Sequence, residues 1–172
     1  MFGSMHWKSL LAAALTLTAT ASPLPAATLD RSATPEQSKG MVSKEDARRA
    51  IAIFRRDPFS TQGEMTQPII LTFAKDSPDV EVSVSDKRLA WFGNKAVSQE
   101  TSRVLLVAYV AGNVQAQLDS GKAKDNPVAA AEQVIATYRQ LQRANPKLKV
   151  REVEELITLQ KQGKLAEHYR ED

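Results

Sequence analysis

Val104-Leu105-Leu106-Val107-Ala108-Tyr109-Val110-Ala111 constrains this chain more than any other stretch, because it is apolar on every face of a helix. Such a helix has no side to give to water, so the remaining chain must wrap it. The spacing predicts a long helix from about Ser98 to Ser120, with Gly121 suited to a left-handed cap. The apolar stretch is about nine residues, well short of the roughly 20 that span a bilayer. Gly112 inside the helix weakens it by roughly 1 kcal/mol relative to Ala and is expected where a second backbone passes close.

Other segments carry apolar stripes that can supply the wrapping. Ser43 starts a first helix as its cap, Ala47, Ala50, Ile51 and Phe54 form its stripe, and Asp57-Pro58 ends it. Phe59 to Glu64 reads as a loop. Thr66 to Lys75 reads as a short helix with Pro68 in its first turn, although Ile69 to Phe73 would also suit a buried strand. Asn126-Pro127 starts a helix whose stripe is Val128, Ala131, Val134, Ile135, Tyr138 and Leu141, and Asn145-Pro146 ends it. A last long helix is predicted from Val150 to Gln162, with Val153, Leu156 and Ile157 inward and Gly163 as terminator. A short turn from Leu165 to Tyr169 follows.

Val80-Glu81-Val82-Ser83-Val84-Ser85 is the exception, alternating strictly with β-branched side chains. No second alternating run lies nearby to pair with it. The expected outcomes are an extended edge laid over helices or a small sheet completed by another chain. The fold expected from these signals is mainly α, about five helices packed around a central buried helix at 98–120, with one short extended strand near 80–84.

Tyr138, Leu141, Pro146 and Gly163 sit at spacings that resemble one helix-turn-helix junction of a tetratricopeptide repeat. The likeness covers only about 35 residues and breaks at Gly121 to Pro127, where the preceding helix would lie. A generic αα-hairpin is the expectation.

The chain's first residues read as an export signal, with Lys8 as the positive charge and the Leu- and Ala-rich stretch Ser9 to Ala19 as the apolar core. Ala19-Thr20-Ala21 best fits the small-residue cleavage rule, and Pro25-Ala26-Ala27 is a second candidate. The expected organisation is a signal peptide at 1–21, a disordered leader at 22–41 rich in Pro, Ser and Thr, and a single helical domain at 42–170. The chain has no Cys, so neither a lipid anchor on cysteine nor a disulfide is available. The address predicted is a bacterial periplasm or secretion, with no transmembrane anchor once the signal is removed.

Charge and composition narrow the chemistry. Lys and Arg number 23 against 20 Asp and Glu, interspersed along the chain, which argues against nucleic acid as a partner. Loss of the signal leaves His168, near the C-terminus, as the remaining histidine. Neither a metal site nor a Ser-His-Asp triad is expected, nor any cofactor, since the sequence lacks a phosphate-cradling glycine loop and an acidic calcium loop. Glu152, Glu154 and Glu155 are the candidate paired carboxylates, but flanking Val153 and Leu156 they read as a solvated helix face pairing with Arg151 or Lys149.

The binding candidates are Arg103, Tyr109, Asn113 and Trp91, joined by Gln117. Polar groups on a buried helix must be hydrogen-bonded, either in a structural network or in the lining of a cleft, and the structural network is the favoured reading. Trp91-Phe92 offers two arrangements, one ring inward with the other exposed for recognition, or both completing the core, and the second is favoured. The function expected is a non-enzymatic exported protein that binds a protein partner in the cell envelope. The alternatives are a small carboxylate-dependent hydrolase and a helical carrier of an apolar ligand, the latter needing a cavity beside Leu106, Val110 and Trp91.

Overall fold

The computed structural model describes residues 42–170, and the expected signal peptide and the 22–41 leader lie outside them. The described chain is mainly helical. Its elements are α1 (Lys44–Arg56), α2 (Thr61–Asp76), α3 (Gln99–Ser120), α4 (Pro127–Ala144), α5 (Arg151–Lys161) and the one-turn α6 (Leu165–His168).

Helix α1 forms as its sequence dictates. The Ser43 hydroxyl accepts from the Asp46 amide at 3.0 Å and donates to the Asp46 carboxylate at 2.6 Å, satisfying an amide that the helix itself leaves unpaired. Ala47, Ala50, Ile51 and Phe54 are buried, as their spacing predicts. Arg48, on the same helix, reaches the far end of α3, where its guanidinium bonds Asp119 at 2.6 Å and the Leu118 carbonyl at 2.5 Å. The last turn of α3 has no basic residue of its own, so α1 supplies the cation that its dipole favours.

Helix α2 departs from the sequence reading. It begins at Thr61, within the segment expected to be a loop, and places Pro68 in its interior rather than its first turn. The signal that decides the start is local. Asp57 Oδ1 accepts the Phe59 and Ser60 amides, and the Ser60 hydroxyl donates to the Asp57 carbonyl while accepting from the Gly63 amide at 3.0 Å. Gly63 allows the turn to close, since a Cβ there would lie 2.1 Å from the Asp57 carbonyl oxygen. Pro68 is tolerated because it is exposed, away from the face that buries Ile70, Phe73 and Ala74.

Helix α3 packs against α1, α2 and α4, and Val104 through Val114 are all buried. Its crossing with α4 is close. A Cβ on Gly112 would sit 2.6 Å from the Ala129 carbonyl oxygen and 3.0 Å from the Ala130 Cα, so the glycine lets the two backbones approach. Gly121 caps α3 at φ 65°, the left-handed conformation predicted for it.

Helix α4 starts at Pro127 with Asn126 as cap, its side chain accepting from the Ala129 amide at 3.1 Å. Ala131, Val134, Ile135 and Tyr138 are fully buried, and Val128 and Leu141 pack against the core from its edge. Helices α4 and α5 pack as neighbours across the 145–150 turn. Tyr138 secures that turn, accepting from the Val150 amide at 3.0 Å and donating to Glu154 at 2.7 Å. Burial, ahead of the carboxylate beside it, pushes the Tyr138 hydroxyl up to about 12.

The alternating segment 80–85 lies in neither a helix nor a strand of the described residues. Val80 is buried and Val82 and Val84 pack at the core's edge, but Ser83 and Ser85 are half-buried too, and the expected strand does not form among the described residues. Of the two outcomes expected, the segment lies over helices. Side chains of α3 and of the α3–α4 loop, rather than a second strand, receive its backbone.

Candidate functional site

Tyr109, Asn113 and Gln117 lie four residues apart on α3 and form one row. Gln117 grips the backbone of Glu81 at both ends of its amide, Oε1 accepting from the Glu81 N–H at 2.8 Å and Nε2 donating to the Glu81 carbonyl at 2.7 Å. Asn113 holds Gln117 in place by accepting from Nε2 at 2.7 Å. It also accepts the Asn126 amide at 2.9 Å and donates to Asp125 at 2.7 Å. Asp125 in turn accepts the Ser83 amide at 2.9 Å and pairs with Arg88 at 2.5 Å, both side chains being only 15% and 13% exposed. The Ser83 carbonyl accepts from Tyr109 and Arg88, each at 3.3 Å. Burial drives the Tyr109 hydroxyl well above its ordinary value, with Arg88 opposing the shift and Asp125 reinforcing it.

These side chains do for residues 81 and 83 what a neighbouring strand would do, satisfying N–H and C=O groups along one edge of an extended chain. Their donors and acceptors are engaged within the fold. Arg103 stands apart, exposed on α3.

Trp91 belongs to a different place. The 86–97 segment is a succession of tight turns, closed by hydrogen bonds from the Leu89, Phe92, Asn94 and Val97 amides to carbonyls three or four residues back. Gly93, at φ 85°, supplies the left-handed step. The turns send Trp91 inward, 1% exposed, and leave Phe92 54% exposed. The expectation that both rings complete the core therefore holds for Trp91 alone, because adjacent residues in a turn cannot share one buried side.

A cleft of about 180 Å³ lies where these turns meet α5 and α6. The turns contribute Lys87, Ala90 and Trp91. Helix α5 contributes Glu152, Glu155, Leu156 and Leu159, a single face at helical spacing, and α6 adds His168. Most of the surface is apolar, but two polar atoms in its lining residues are shielded from solvent and have no hydrogen-bond partner among the described residues. They are the indole Nε1 of Trp91 and Oε2 of Glu152. The other oxygen of Glu152 accepts from Asn94 Nδ2 at 2.8 Å, which fixes the carboxylate against the turns. An unpaired buried donor or acceptor costs about 1–3 kcal/mol, and neither atom is open to a water-sized molecule entering the cleft.

The glutamates of α5 are not the uniform solvated face expected. Glu155 is exposed and pairs with Arg151 at 3.6 Å, in agreement with that expectation. Glu152 and Glu154 are half-buried and engaged by Asn94 and by Tyr138 with Gln142, respectively. The helix pattern placed these glutamates beside Val153 and Leu156, but the turn that holds Glu152 through Asn94 comes from 58 residues earlier in the chain. Of the sequence-derived binding candidates, the cleft contains Trp91 and none of Arg103, Tyr109 and Asn113. Its lining does not include Leu106 or Val110, the residues beside which an apolar ligand was expected.

No protein-family model matches the chain, and comparison with characterised proteins and with solved structures yields no significant match. Among the described residues no three His, Cys, Asp or Glu side chains come together as a metal-binding group. No helix among them is long and apolar enough to cross a membrane.

Proposed function

We propose that this chain is an exported, non-enzymatic helical protein that binds its partner in the envelope through the cleft between the 86–97 turns and α5. The observation that carries the reading is the concave, mostly apolar surface that Ala90 and Trp91 of the turns form with Leu156 and Leu159 of α5. Export to a periplasm or to the medium rests on the Lys8, Ser9 to Ala19 and Ala19-Thr20-Ala21 pattern. Phe92, exposed and next in sequence to Trp91 of the lining, adds an aromatic side chain of the kind that anchors interfaces.

A photoreactive residue placed at Glu155, on the rim, tests this in cells. A discrete adduct is expected from that position and not from the exposed Ala136 of α4, and Ala90→Trp, which fills the cleft, should abolish it. The protein should be recovered outside the cytoplasm as a form shortened at Ala21. Equal labelling from both positions, or full-length protein retained in the cytoplasm, would defeat the proposal.

A second reading is a carboxylate hydrolase, favoured by Glu152 and Glu155 lining the same cleft. Hydrolysis of glycosides by paired carboxylates needs one acid and one base or nucleophile. Glycoside hydrolysis lost in both Glu152→Gln and Glu155→Gln would transfer the function to that class.

A further inference from the structure

We propose that the end of the helical domain where α1 and α4 finish docks on an anionic phospholipid surface. This surface is separate from the cleft and does not rest on it. Gln140 Nε2 donates to the Arg55 carbonyl at 2.9 Å, which holds the last turn of α1 against the second half of α4. Arg55 and Arg56 end α1, Arg139 and Arg143 flank Gln140 on α4, and Lys147 and Lys149 follow in the turn to α5, all of them exposed. Among the described residues none of these cations has a carboxylate within ion-pair distance. The opposite end of α1 differs, since Lys44, Arg48 and Arg49 meet Asp79, Asp119 and Glu45 at 2.8, 2.6 and 3.4 Å.

The nearby acids are directed to other partners. Asp57 Oδ1 accepts the Phe59 and Ser60 amides, and the half-buried Glu154 is held by Tyr138 and Gln142. A helix C-terminus carries roughly half an elementary charge, so the dipoles of α1 and α4 together offset about one cation. The rest face water and are free to meet lipid phosphates, each contact worth about fivefold in partition at low salt. A second feature favours a bilayer over a soluble polyanion. Met65 is 68% exposed, the most exposed large apolar side chain among the described residues. It stands on α2 just past Gly63, whose close approach to the Asp57 carbonyl ties the first turn of α2 to the end of α1. A flexible apolar side chain at the same end as the cations can enter the acyl boundary while they stay among the headgroups. Nucleic acid or polyphosphate offers no such layer.

The test is sedimentation of the full chain with vesicles of pure phosphatidylcholine and of an equimolar mixture with phosphatidylglycerol, read as the ratio of the two partition coefficients. The ratio isolates charge, because apolar insertion by any other part of the chain enters both terms. It should be large at low salt and collapse as the screening length falls from about 30 Å at 0.01 M to about 8 Å at 0.15 M. Arg56→Gln with Arg143→Gln should lower it about 25-fold, two cations at about fivefold each. Lys44→Gln with Arg49→Gln removes the same charge from the paired end and should leave it nearly unchanged. Met65→Ser should weaken binding to the charged vesicles about fivefold, the effect of partly burying one apolar side chain. Inorganic phosphate and soluble polyphosphate should compete only through ionic strength. A ratio near one, or equal losses from the two double variants, would remove the proposal. Displacement by polyphosphate at matched ionic strength, with Met65→Ser silent, would overturn the lipid assignment in favour of a soluble polyanion. Ala90→Trp should leave the ratio unchanged, so failure here leaves the cleft reading standing.

Discussion

At the scale of single residues, Gly112 shows how a local rule and a tertiary one oppose each other. Alanine is the better helix former by roughly 1 kcal/mol, and on an isolated helix the exchange would stabilise. Here the new Cβ would meet the Ala129 carbonyl oxygen at 2.6 Å and the Gln133 Cβ at 2.6 Å. Backbone cannot yield as a flexible side chain can, and overpacking costs about 1–3 kcal/mol. Gly112→Ala is therefore expected to destabilise, read as a lower midpoint in urea unfolding with an unchanged slope. The sequence marked the glycine as a point of close approach, and Asn126-Pro127 and Gly121 as helix boundaries, because each of these depends on backbone chemistry within a few residues. It did not show that Glu152 would be half-buried. That depends on Asn94, which no periodicity places nearby.

Among the elements, α2 diverges most from what its own residues suggest, and the segment 80–85 depends most on distant side chains. The segment has the composition of a strand, yet its backbone is received by Gln117, Asp125 and Tyr109 rather than by another strand. Gln117→Leu would leave the Glu81 N–H and C=O without those partners. It should cost about 1–2 kcal/mol, the net worth of the two lost hydrogen bonds, since Glu81 is exposed and water can take up its backbone groups. Hydrogen exchange at the Glu81 amide should accelerate, while exchange in the α4–α5 hairpin should rise only as far as the loss of global stability requires. An unchanged Glu81 amide would show that the segment is held by its valines alone. Helix α2 begins earlier than Thr66 because the Asp57 and Ser60 side chains organise a cap inside what composition alone reads as a loop.

For the molecule as a whole, buried tyrosines set a limit on stability at high pH. Tyr109 and Tyr138 have hydroxyls raised above the ordinary value of 10.0, chiefly by burial. Raised folded values mean that their contribution is complete below pH 10.0 and is lost as pH climbs through the folded values, to about 12 for Tyr138 and beyond that for Tyr109. The unfolded chain sheds these protons first, so stability should fall with rising pH from 10.0 upward. Tyr109→Phe should flatten this decline while sacrificing only a 3.3 Å hydrogen bond to Ser83. Thermal unfolding of the two proteins between pH 8 and pH 11 tests it, and parallel curves would assign the alkaline limit elsewhere.

The sequence by itself determined the helical character, the burial of the apolar stretch from Val104 to Ala111 and most helix ends, since periodicity, caps and prolines act within a turn or two of the chain. Tertiary structure decided what receives the extended segment, which of Trp91 and Phe92 is buried, and that Trp91 faces α5. Those outcomes depend on which distant surfaces meet, which periodicity and caps within a turn or two of the chain do not encode.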